Sequence, residues 1–336
     1  MRHESPQHLL SLPPGMAAVF ETIEQRPRPT WFAGCDPAGS KLGSGGGTAH
    51  LLEQAWRATG NRQSFRDWLT APRKLIIHGG GQSRRLPAYA PAGKVLMPLP
   101  VFRWARGQRL DQTLLDVQLP DFQRVLHHAG PHYAAMVCSG DVLLRFARDL
   151  PPFPQVDVLG LGMWVTPERA QNFGVFFSTR SRPHELAFFL QKPTPARIRE
   201  LGADHIYLVD TGMWLLSPRA VEVLMGQCGW DAGAQQFRDG QAAHYELYHQ
   251  FGLALGTQPV EPHPEVSSLS CAVLPLPEAQ FYHFGTTRQM IESLSALQNV
   301  ELDETKLGTV GARRHPDQFV QSARFEFPLR REENRS

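Results

Sequence analysis

Short apolar runs alternate with helical stretches along most of this 336-residue sequence, and the alternation limits the folds open to it. The apolar runs that predict strands are 74–78, 133–138, 156–164, 174–178, 186–190 and 206–216. Stretches that predict helices lie between several of them, at 111–128, 167–171, 195–201 and 218–225. Strands that alternate with helices form mainly parallel sheets with helices on both faces. The sequence therefore predicts an α/β fold with a mixed, mostly parallel sheet.

The two ends of the chain differ from this central region. Residues 1–30 hold a short amphipathic stretch followed by prolines, which predicts an N-terminal helical segment before a main domain at 31–300. Residues 319–329 begin a β pattern that runs into a charged end. We therefore expect residues 301–336 to be the start of a β-rich C-terminal region that is cut short.

Three local features give further expectations. Pro120 should kink or split the helix predicted at 111–128. Residues 227–243 are polar and rich in Gly and Gln, which predicts a long surface loop. Residues 286–299 predict a last helix.

Composition and charge exclude several classes of protein. The net charge of +2 is too balanced for a general binder of nucleic acid or membrane surfaces. No apolar run approaches the roughly 18 residues that a membrane-spanning helix needs. The four cysteines are far apart with no CxxC pair, which argues against a zinc ribbon or a disulfide framework and fits a reducing cytosol. We therefore expect a soluble, cytoplasmic protein that binds neither nucleic acid nor membrane.

The segment after the strand predicted at 74–78 carries the strongest chemical signal. Glycines, polar residues and cations follow in the order Gly79, Gly80, Gly81, Gln82, Ser83, Arg84, Arg85 and, shortly after, Lys94. Glycines let backbone amides approach a polyanion closely, and arginine and lysine add fixed positive charge. The combination predicts a triphosphate site, with a glycine-rich turn and solvated arginines as the alternative.

Two better-known phosphate motifs do not fit these residues. A Walker A loop needs Gly at 88 and Ser or Thr at 95, where the chain has Ala88 and Val95. A dinucleotide-binding fingerprint needs a third glycine at Arg84 or, in the earlier glycine tract, at Thr48. A dinucleotide oxidoreductase is therefore disfavoured.

An earlier glycine tract opens another predicted helix. It follows Lys41 and consists of Gly43, Gly45, Gly46, Gly47 and Thr48 with one serine between them. Helix N-termini attract phosphate, so the tract is a second candidate for nucleotide binding. A flexible linker is the alternative for such a composition.

Four further candidates lie at or near strand ends. Asp141 suits a Mg²⁺ ion that bridges phosphates, or it caps a turn. Lys192 could bind a second phosphate group or be one solvated lysine among others. Asp210 is either an acceptor for sugar hydroxyls or a residue of a strand-end turn, and His283 lies among aromatic residues as a core residue or a ligand.

The order of these segments resembles the L-fucose-1-phosphate guanylyltransferases, also called GDP-fucose pyrophosphorylases. The matching strings include DPAGSKLGSGGGT (36–48), IIHGGGQSRRLPAYAPAGK (76–94), SGDVL (139–143), FLQKP (189–193), DTGMWLLS (210–217), YELYHQFGLALGT (245–257) and FYHFGT (281–286). In this family the corresponding region can be followed by a β-helix and a fucokinase domain. The resemblance implies that such domains could belong to a longer parent protein.

The resemblance also implies a Rossmann-like nucleotidyltransferase fold and a reaction. GTP and L-fucose 1-phosphate would give GDP-L-fucose and pyrophosphate with Mg²⁺. By position, the loop 79–85 would hold the nucleotide phosphates together with Lys94, while Asp141 would bind the metal and Lys192 the sugar phosphate.

The remaining assignments concern the sugar and a second metal ligand. Asp210 and Gly212 would contact the sugar, and His283 stands where many nucleotidyltransferases have a metal-binding aspartate. Gln191 stands where many have a glutamate before the Lys-Pro pair. The alternatives are the same chemistry on another nucleotide and hexose 1-phosphate, or a domain that binds nucleotide sugars without catalysis.

Overall fold

The computed structural model describes residues 5–24, 26, 30–60, 62–79, 85–99 and 112–301, with the side chains of the last helix described to residue 297. The loop residues 80–84 and the end of the chain from 302 onward lie outside this description, as does the β pattern predicted at 319–329. No helix among the described residues has the length and apolar character needed to cross a bilayer.

The strands, in chain order, are β1 (Gln7–Ser11), β2 (Trp31–Gly34), β3 (Lys74–His78), β4 (Ala135–Ser139), β5 (Val142–Arg145), β6 (Val158–Met163), β7 (Gly174–Thr179), β8 (Phe188–Gln191), β9 (His205–Leu216), β10 (Trp230–Asp231), β11 (Gln236–Phe237), β12 (Cys271–Pro275) and β13 (Gln280–His283). The α-helices are α1 (Pro14–Glu24), α2 (Gly43–Arg57), α3 (Phe65–Thr70), α4 (Leu114–His128), α5 (Pro167–Ala170), α6 (Pro195–Leu201), α7 (Pro218–Gln227) and α8 (Thr287–Glu301). A π-helix follows α7 at Leu247–Phe251.

A nine-stranded sheet forms the centre of the described structure, in the order β12-β6-β9-β4-β3-β1-β2, with β7 beside β9 and β8 beside β7. The pairs β1–β2, β1–β3, β3–β4 and β6–β12 are parallel. Strand β9 is antiparallel to β4, β6 and β7, and β8 is antiparallel to β7. Within this sheet all strands except β8 and β9 therefore point the same way, which confirms the mixed, mostly parallel sheet.

Helices cover both faces of this sheet. Alternate residues of β3 point to opposite sides, as they must in a strand. Ile76 packs in a core that contains residues of α2, α3 and α7, while Leu75 and Ile77 pack in a second core with residues of α1 and α4. The prediction of helices on both faces is confirmed, and the loops that follow the parallel strands share one edge of the sheet.

The N-terminal boundary predicted at residue 30 needs correction. The predicted helix is present as α1, but strand β1 precedes it and pairs with both β2 and β3. Residues 7–24 therefore belong to the main sheet domain, with β1 inside the sheet and α1 packed on one face, rather than forming a separate helical segment. The five residues of β1 are too few to show a clear period, and pairing on both sides fixes them as a strand.

Two other expectations also differ from the structure. The segment predicted as a surface loop at 227–243 contains the short β10–β11 hairpin, and Trp230 and Phe237 from it are buried in the core. Pro120 does not split α4, which runs as one helix from a capping box at Thr113 to His128. The proline lies in the first half of that helix, where tertiary packing holds residues on either side of it.

A later segment of the chain, at Ala243, packs closely against Gly46 of α2. A Cβ there would lie 2.4 Å from the backbone oxygen of Ala243, which cannot move as a flexible side chain could. We expect Gly46→Ala to lower the free energy of unfolding by about 1–3 kcal/mol through overpacking, as measured by urea denaturation. The control is Gly226→Ala in α7, where the added Cβ meets nothing within 4 Å. Equal effects of the two substitutions would contradict the close approach.

Candidate active site at the carboxyl edge of the sheet

Lys94, Asp141 and His283 come together at the edge where the parallel strands end. The Lys94 Nζ lies 2.8 Å from Asp141 Oδ2 and donates to the backbone oxygen of Gly285 at 3.3 Å. The His283 Nε2 is 3.7 Å from the same aspartate oxygen. Ser139 donates its hydroxyl to the other oxygen, Oδ1, at 2.8 Å. Three residues singled out from the sequence therefore form one cluster.

Backbone pairing brings these residues into place. Asp141 lies in the turn between β4 and β5, and β13 pairs antiparallel with β5 so that His283 lies opposite Val142. Lys94 follows Gly93, whose positive φ of 81° and close approach to the Gly79 oxygen both require glycine. The loop that carries Lys94 is thus packed directly against the end of β3.

The cluster is strongly polarised. Burial would raise the pKa of the Asp141 carboxyl, but the His283 ring and the Lys94 ammonium outweigh it and hold that pKa well below its usual range. Asp141 is therefore a carboxylate at neutral pH. It forms an ion pair with Lys94 at the centre of the cluster.

A cleft of about 620 Å³ opens beside this cluster. Its lining comes from the ends of β1, β3 and β4, from the segment after β2, from the start of α2 and from residues 244–248; the polar and charged members are Ser11, Asp36, Ser40, Lys41, Ser44, His78, Ser139, His244, Glu246 and Tyr248. Ser139 belongs both to the cleft and to the cluster. Open α/β sheets bind ligands at this edge, so the cleft and the cluster form one candidate site.

The glycine tract of α2 is used mainly for packing. The amides of Gly45 and Gly46 donate to the Tyr245 oxygen, and the amide and hydroxyl of Ser44 donate to Glu246 Oε2. A Cβ at Gly43 would lie 2.7 Å from the Tyr245 oxygen. These amides therefore already have protein partners. Of the glycines and the threonine predicted to bind nucleotide here, Gly43 and Gly47 line the cleft.

Thr48 and His78 connect α2 to β3. The Thr48 hydroxyl donates to the Ser44 oxygen at 2.7 Å, so the contact of 2.8 Å between Thr48 Oγ1 and His78 Nε2 requires the histidine to donate. The other ring nitrogen of His78, Nδ1, is then an acceptor. Burial lowers the pKa of His78 to about 4, so the ring is neutral at physiological pH.

The predicted sugar residues lie on the other side of β4. Asp210 and Gly212 are in the interior of β9, at an irregularity in its pairing with β6, so Asp210 is not a residue of a strand-end turn. Gly212 has a φ of +76°, and a Cβ there would lie 2.8 Å from Ser139 Cβ. This part of β9 is thereby held against the cluster.

Lys192 follows β8, as the sequence predicts. Its backbone has a positive φ of 48°, its side chain is exposed, and its amide donates to the Phe173 oxygen. The Phe173 ring in turn lies 5.6 Å from the His283 ring. The backbone of Lys192 is therefore linked to the cluster through one residue, Phe173.

The first glycine loop is described only at its two ends. Gly79 is buried after β3, where an added Cβ would meet Val95 at 2.3 Å. Arg85 is exposed, and its backbone oxygen accepts from the amide of Thr287 at the start of α8. Gly80, Gly81, Gln82, Ser83 and Arg84 lie outside the described residues, so their predicted role stays a prediction.

The buried carboxyl group of Asp210 should make the stability of the protein depend on pH. Burial raises its pKa to about 7, although Gly212 and Trp214 both donate to its Oδ1. Because the folded pKa lies above the unfolded value of 3.8, wild-type stability should fall as the pH rises through this range. Asparagine offers an oxygen for the same two bonds but does not titrate.

We therefore expect the free energy of unfolding of Asp210→Asn, taken relative to that of wild type, to increase by about 2–3 kcal/mol from pH 5 to pH 8.5. Urea denaturation of both proteins at the two pH values measures this change. A difference between the two proteins that is the same at both pH values would contradict the buried titration.

Several residues of the site were missed from the sequence. Asp36, His78 and Glu246 line the cleft but carry no local motif, although each lies in or beside a string that matches the family. Tyr248 also lines the cleft; its hydroxyl has no hydrogen-bond partner among the described residues, and its ring lies 5.5 Å from the Trp214 ring. Burial, and next the Asp210 carboxylate, raise the pKa of Tyr248 well above its ordinary value, so the hydroxyl stays a donor.

Fold and site together define an α/β protein whose polar cleft and lysine–aspartate cluster lie at the carboxyl edge of a mostly parallel sheet. A sequence model of the fucose pyrophosphorylase domain matches residues 66–233. The L-fucokinase/L-fucose-1-P guanylyltransferase of Bacteroides fragilis is 43% identical over 323 residues, which cover 96% of this chain and 33% of that protein.

Two further relatives have the same guanylyltransferase or pyrophosphorylase activity in their names. The bifunctional fucokinase/GDP-fucose pyrophosphorylase of Arabidopsis thaliana is 25% identical over 77% of this chain and 28% of its own length. The fucose-1-phosphate guanylyltransferase of Mus musculus is 39% identical over 51% of this chain and 28% of its own length. The chain belongs to the fucose pyrophosphorylase family, as its sequence motifs predicted. It spans a third or less of the length of these relatives.

Proposed function

We propose that this protein is a fucose-1-phosphate guanylyltransferase, which makes GDP-L-fucose and pyrophosphate from GTP and L-fucose 1-phosphate. The observation that carries the proposal is the Lys94–Asp141 pair beside a polar cleft, in a chain of the fucose pyrophosphorylase family. The names of the relatives supply the nucleotide and the sugar.

The sheet order supports a division of the site into two halves. The cleft lies over the β3, β1 and β2 side of β4, whereas Asp210, Gly212 and Lys192 lie on the β9, β7 and β8 side. We assign the nucleotide to the first half and the sugar phosphate to the second. The reacting phosphates would then meet at the cluster between them.

The reaction needs no nucleophile from the protein. An oxygen of the sugar phosphate attacks the α-phosphorus in line, and the bond to the bridging oxygen of pyrophosphate breaks. The barrier comes mainly from repulsion between two anions and from their alignment. Positioned cations lower such a barrier because they neutralise charge where it develops.

Each charged residue then has a distinct part. Lys94 stabilises the charge on the α-phosphoryl group, and Arg85 with the amides of the 79–82 segment holds the β- and γ-phosphates. Lys192 holds the sugar phosphate, and Asp210 contacts the sugar hydroxyls. The position of Lys94 between the two halves is the strongest support for this scheme.

Mg²⁺ fits the site as an ion that the protein and the phosphates of the substrate would bind together. Among the described residues no group of three histidine, cysteine or acidic side chains could hold a metal by itself. Asp141 offers one carboxylate, and Mg²⁺ commonly takes one or two carboxylates with phosphate oxygens and water. When bound, the ion would supply positive charge to the triphosphate, with Asp141 as its protein ligand and His283 beside it.

The test is pyrophosphate release by the purified protein with Mg²⁺ and L-fucose 1-phosphate. GTP is compared with UTP, ATP and CTP, and mannose 1-phosphate serves as the second acceptor. Release selective for GTP and fucose 1-phosphate is expected. Release with another pair would keep the chemistry and change the substrates, whereas GDP-fucose binding without any release would indicate a binding domain.

A further inference from the structure

Two carboxylates line the cleft, and they differ in what they already bind. Glu246 Oε2 accepts from the amide and the hydroxyl of Ser44, so this side chain is committed to α2. The Asp36 carboxylate has the backbone amide of Leu42 as its hydrogen-bond partner, and His50 is the cationic side chain that acts on it. Asp36 therefore keeps acceptor capacity for a ligand.

The order of the strands assigns Asp36 to the side of the cleft farthest from Asp141. Asp36 follows β2, the edge strand, which is separated from β4 by β1 and β3. Three strand spacings correspond to about 14 Å. If the phosphates of a nucleotide lie at Lys94 and Asp141, the base is the part of the molecule that extends to Asp36.

The surroundings of Asp36 favour a specific contact over a solvated one. Its Oδ1 lies close to the first turn of α2, where a Cβ at Gly47 would approach it to 3.3 Å. Burial raises its pKa, against the effects of the Leu42 amide and the nearby His50. A partly desolvated acceptor of this kind gains from a ligand that offers it N–H groups.

We propose that the Asp36 carboxylate reads the guanine base by accepting from N1–H and from the 2-amino group. Guanine presents these two donors side by side. Uracil has carbonyl oxygens on both sides of its N3–H, and adenine and cytosine each place an unprotonated ring nitrogen next to their amino group. In each of these three bases an acceptor atom would therefore face the carboxylate and be repelled by it. This inference rests on the proposed function and adds the residue that selects GTP.

The test changes the hydrogen-bonding groups of both partners in this contact, the base of the nucleotide and the side chain at position 36. Binding constants are measured for GDP, inosine diphosphate (IDP), which lacks the 2-amino group, and xanthosine diphosphate (XDP), which has an oxygen in its place. Wild-type protein should bind GDP about 10- to 100-fold more tightly than IDP or XDP. In Asp36→Asn the new amide can donate to the xanthine oxygen, so the ratio of XDP to GDP affinity should rise about 10- to 100-fold.

Glu246→Gln is the matched control, because it neutralises the other carboxylate of the same cleft. The GDP to XDP ratio should stay as in wild type, even if all three nucleotides bind more weakly. Using a ratio removes general losses of affinity or folding from the comparison.

Three results would overturn the inference. They are an unchanged ratio in Asp36→Asn, equal wild-type binding of GDP and IDP, and an effect of Asp36→Asn that disappears with 2′-deoxy-GDP, which would indicate a ribose contact. Tighter wild-type binding of UDP or ADP than of GDP would instead reject guanine itself. Pyrophosphate release with the matching triphosphate would then show that only the base assignment of the proposed function had failed.

Discussion

Replacing Lys94 by alanine is expected to lower kcat/KM for GTP and L-fucose 1-phosphate about 100- to 1000-fold. The lysine ammonium lies 2.8 Å from Asp141 and between the two halves of the site, where negative charge would develop in the reaction. If the contact forms mainly in the transition state, the loss should fall on kcat with little change in KM. Steady-state pyrophosphate release measures both constants.

The control for Lys94→Ala is Arg66→Ala. Arg66 is an exposed cation on α3 paired with Glu222, outside the cleft and the cluster. It should leave kcat/KM within about twofold of wild type, since exposed ion pairs contribute little. Near-wild-type activity of Lys94→Ala would remove this lysine from the catalytic scheme.

Asp141→Asn is expected to produce a loss of similar size, about 100- to 1000-fold in kcat/KM. Asparagine keeps an oxygen that can accept from Ser139 but loses the charge that faces Lys94 and His283. If Asp141 is the protein ligand of Mg²⁺, the variant should also need a higher Mg²⁺ concentration for half-maximal rate. Titration of Mg²⁺ at saturating GTP measures this shift.

Asp121→Asn provides the control, because Asp121 pairs with Arg124 on α4 away from the site. A variant of Asp141 with the wild-type Mg²⁺ dependence would reject its role as metal ligand. A low rate with that same dependence would leave Asp141 the role of holding Lys94 in place.

The residues that could be predicted from the sequence share one property: they follow a strand. Asp141 comes after β4 and Lys192 after β8, and Lys94 lies in the segment that follows β3 and its glycines. Because the ends of parallel strands share an edge, a local pattern was enough to bring Lys94 and Asp141 together. His283 was singled out by its aromatic neighbours, and its pairing opposite Val142 brings it to the same point.

The residues that were missed depend on contacts between distant parts of the chain. Glu246 lines the cleft only because residues 243–247 return to the first turn of α2, some two hundred positions earlier. The glycines of that turn looked like a phosphate loop, since a glycine tract has the same composition whether an anion or a backbone approaches it. Strand β1 was missed for a similar reason, because its two neighbours rather than its own pattern make it a strand.

The place of β1 in the sheet has a consequence for how this protein can be divided. The part that the domain model matches, residues 66–233, contains β3 and β4 but neither β1 nor β2. In an excised fragment with those limits, β3 would become an unprotected sheet edge, which favours aggregation. The cleft would also lose most of its walls, since every lining residue except His78 and Ser139 lies within 11–14, 36–47 or 244–248. The stretch that the family model matches is therefore smaller than the stretch that must fold together to form the cleft.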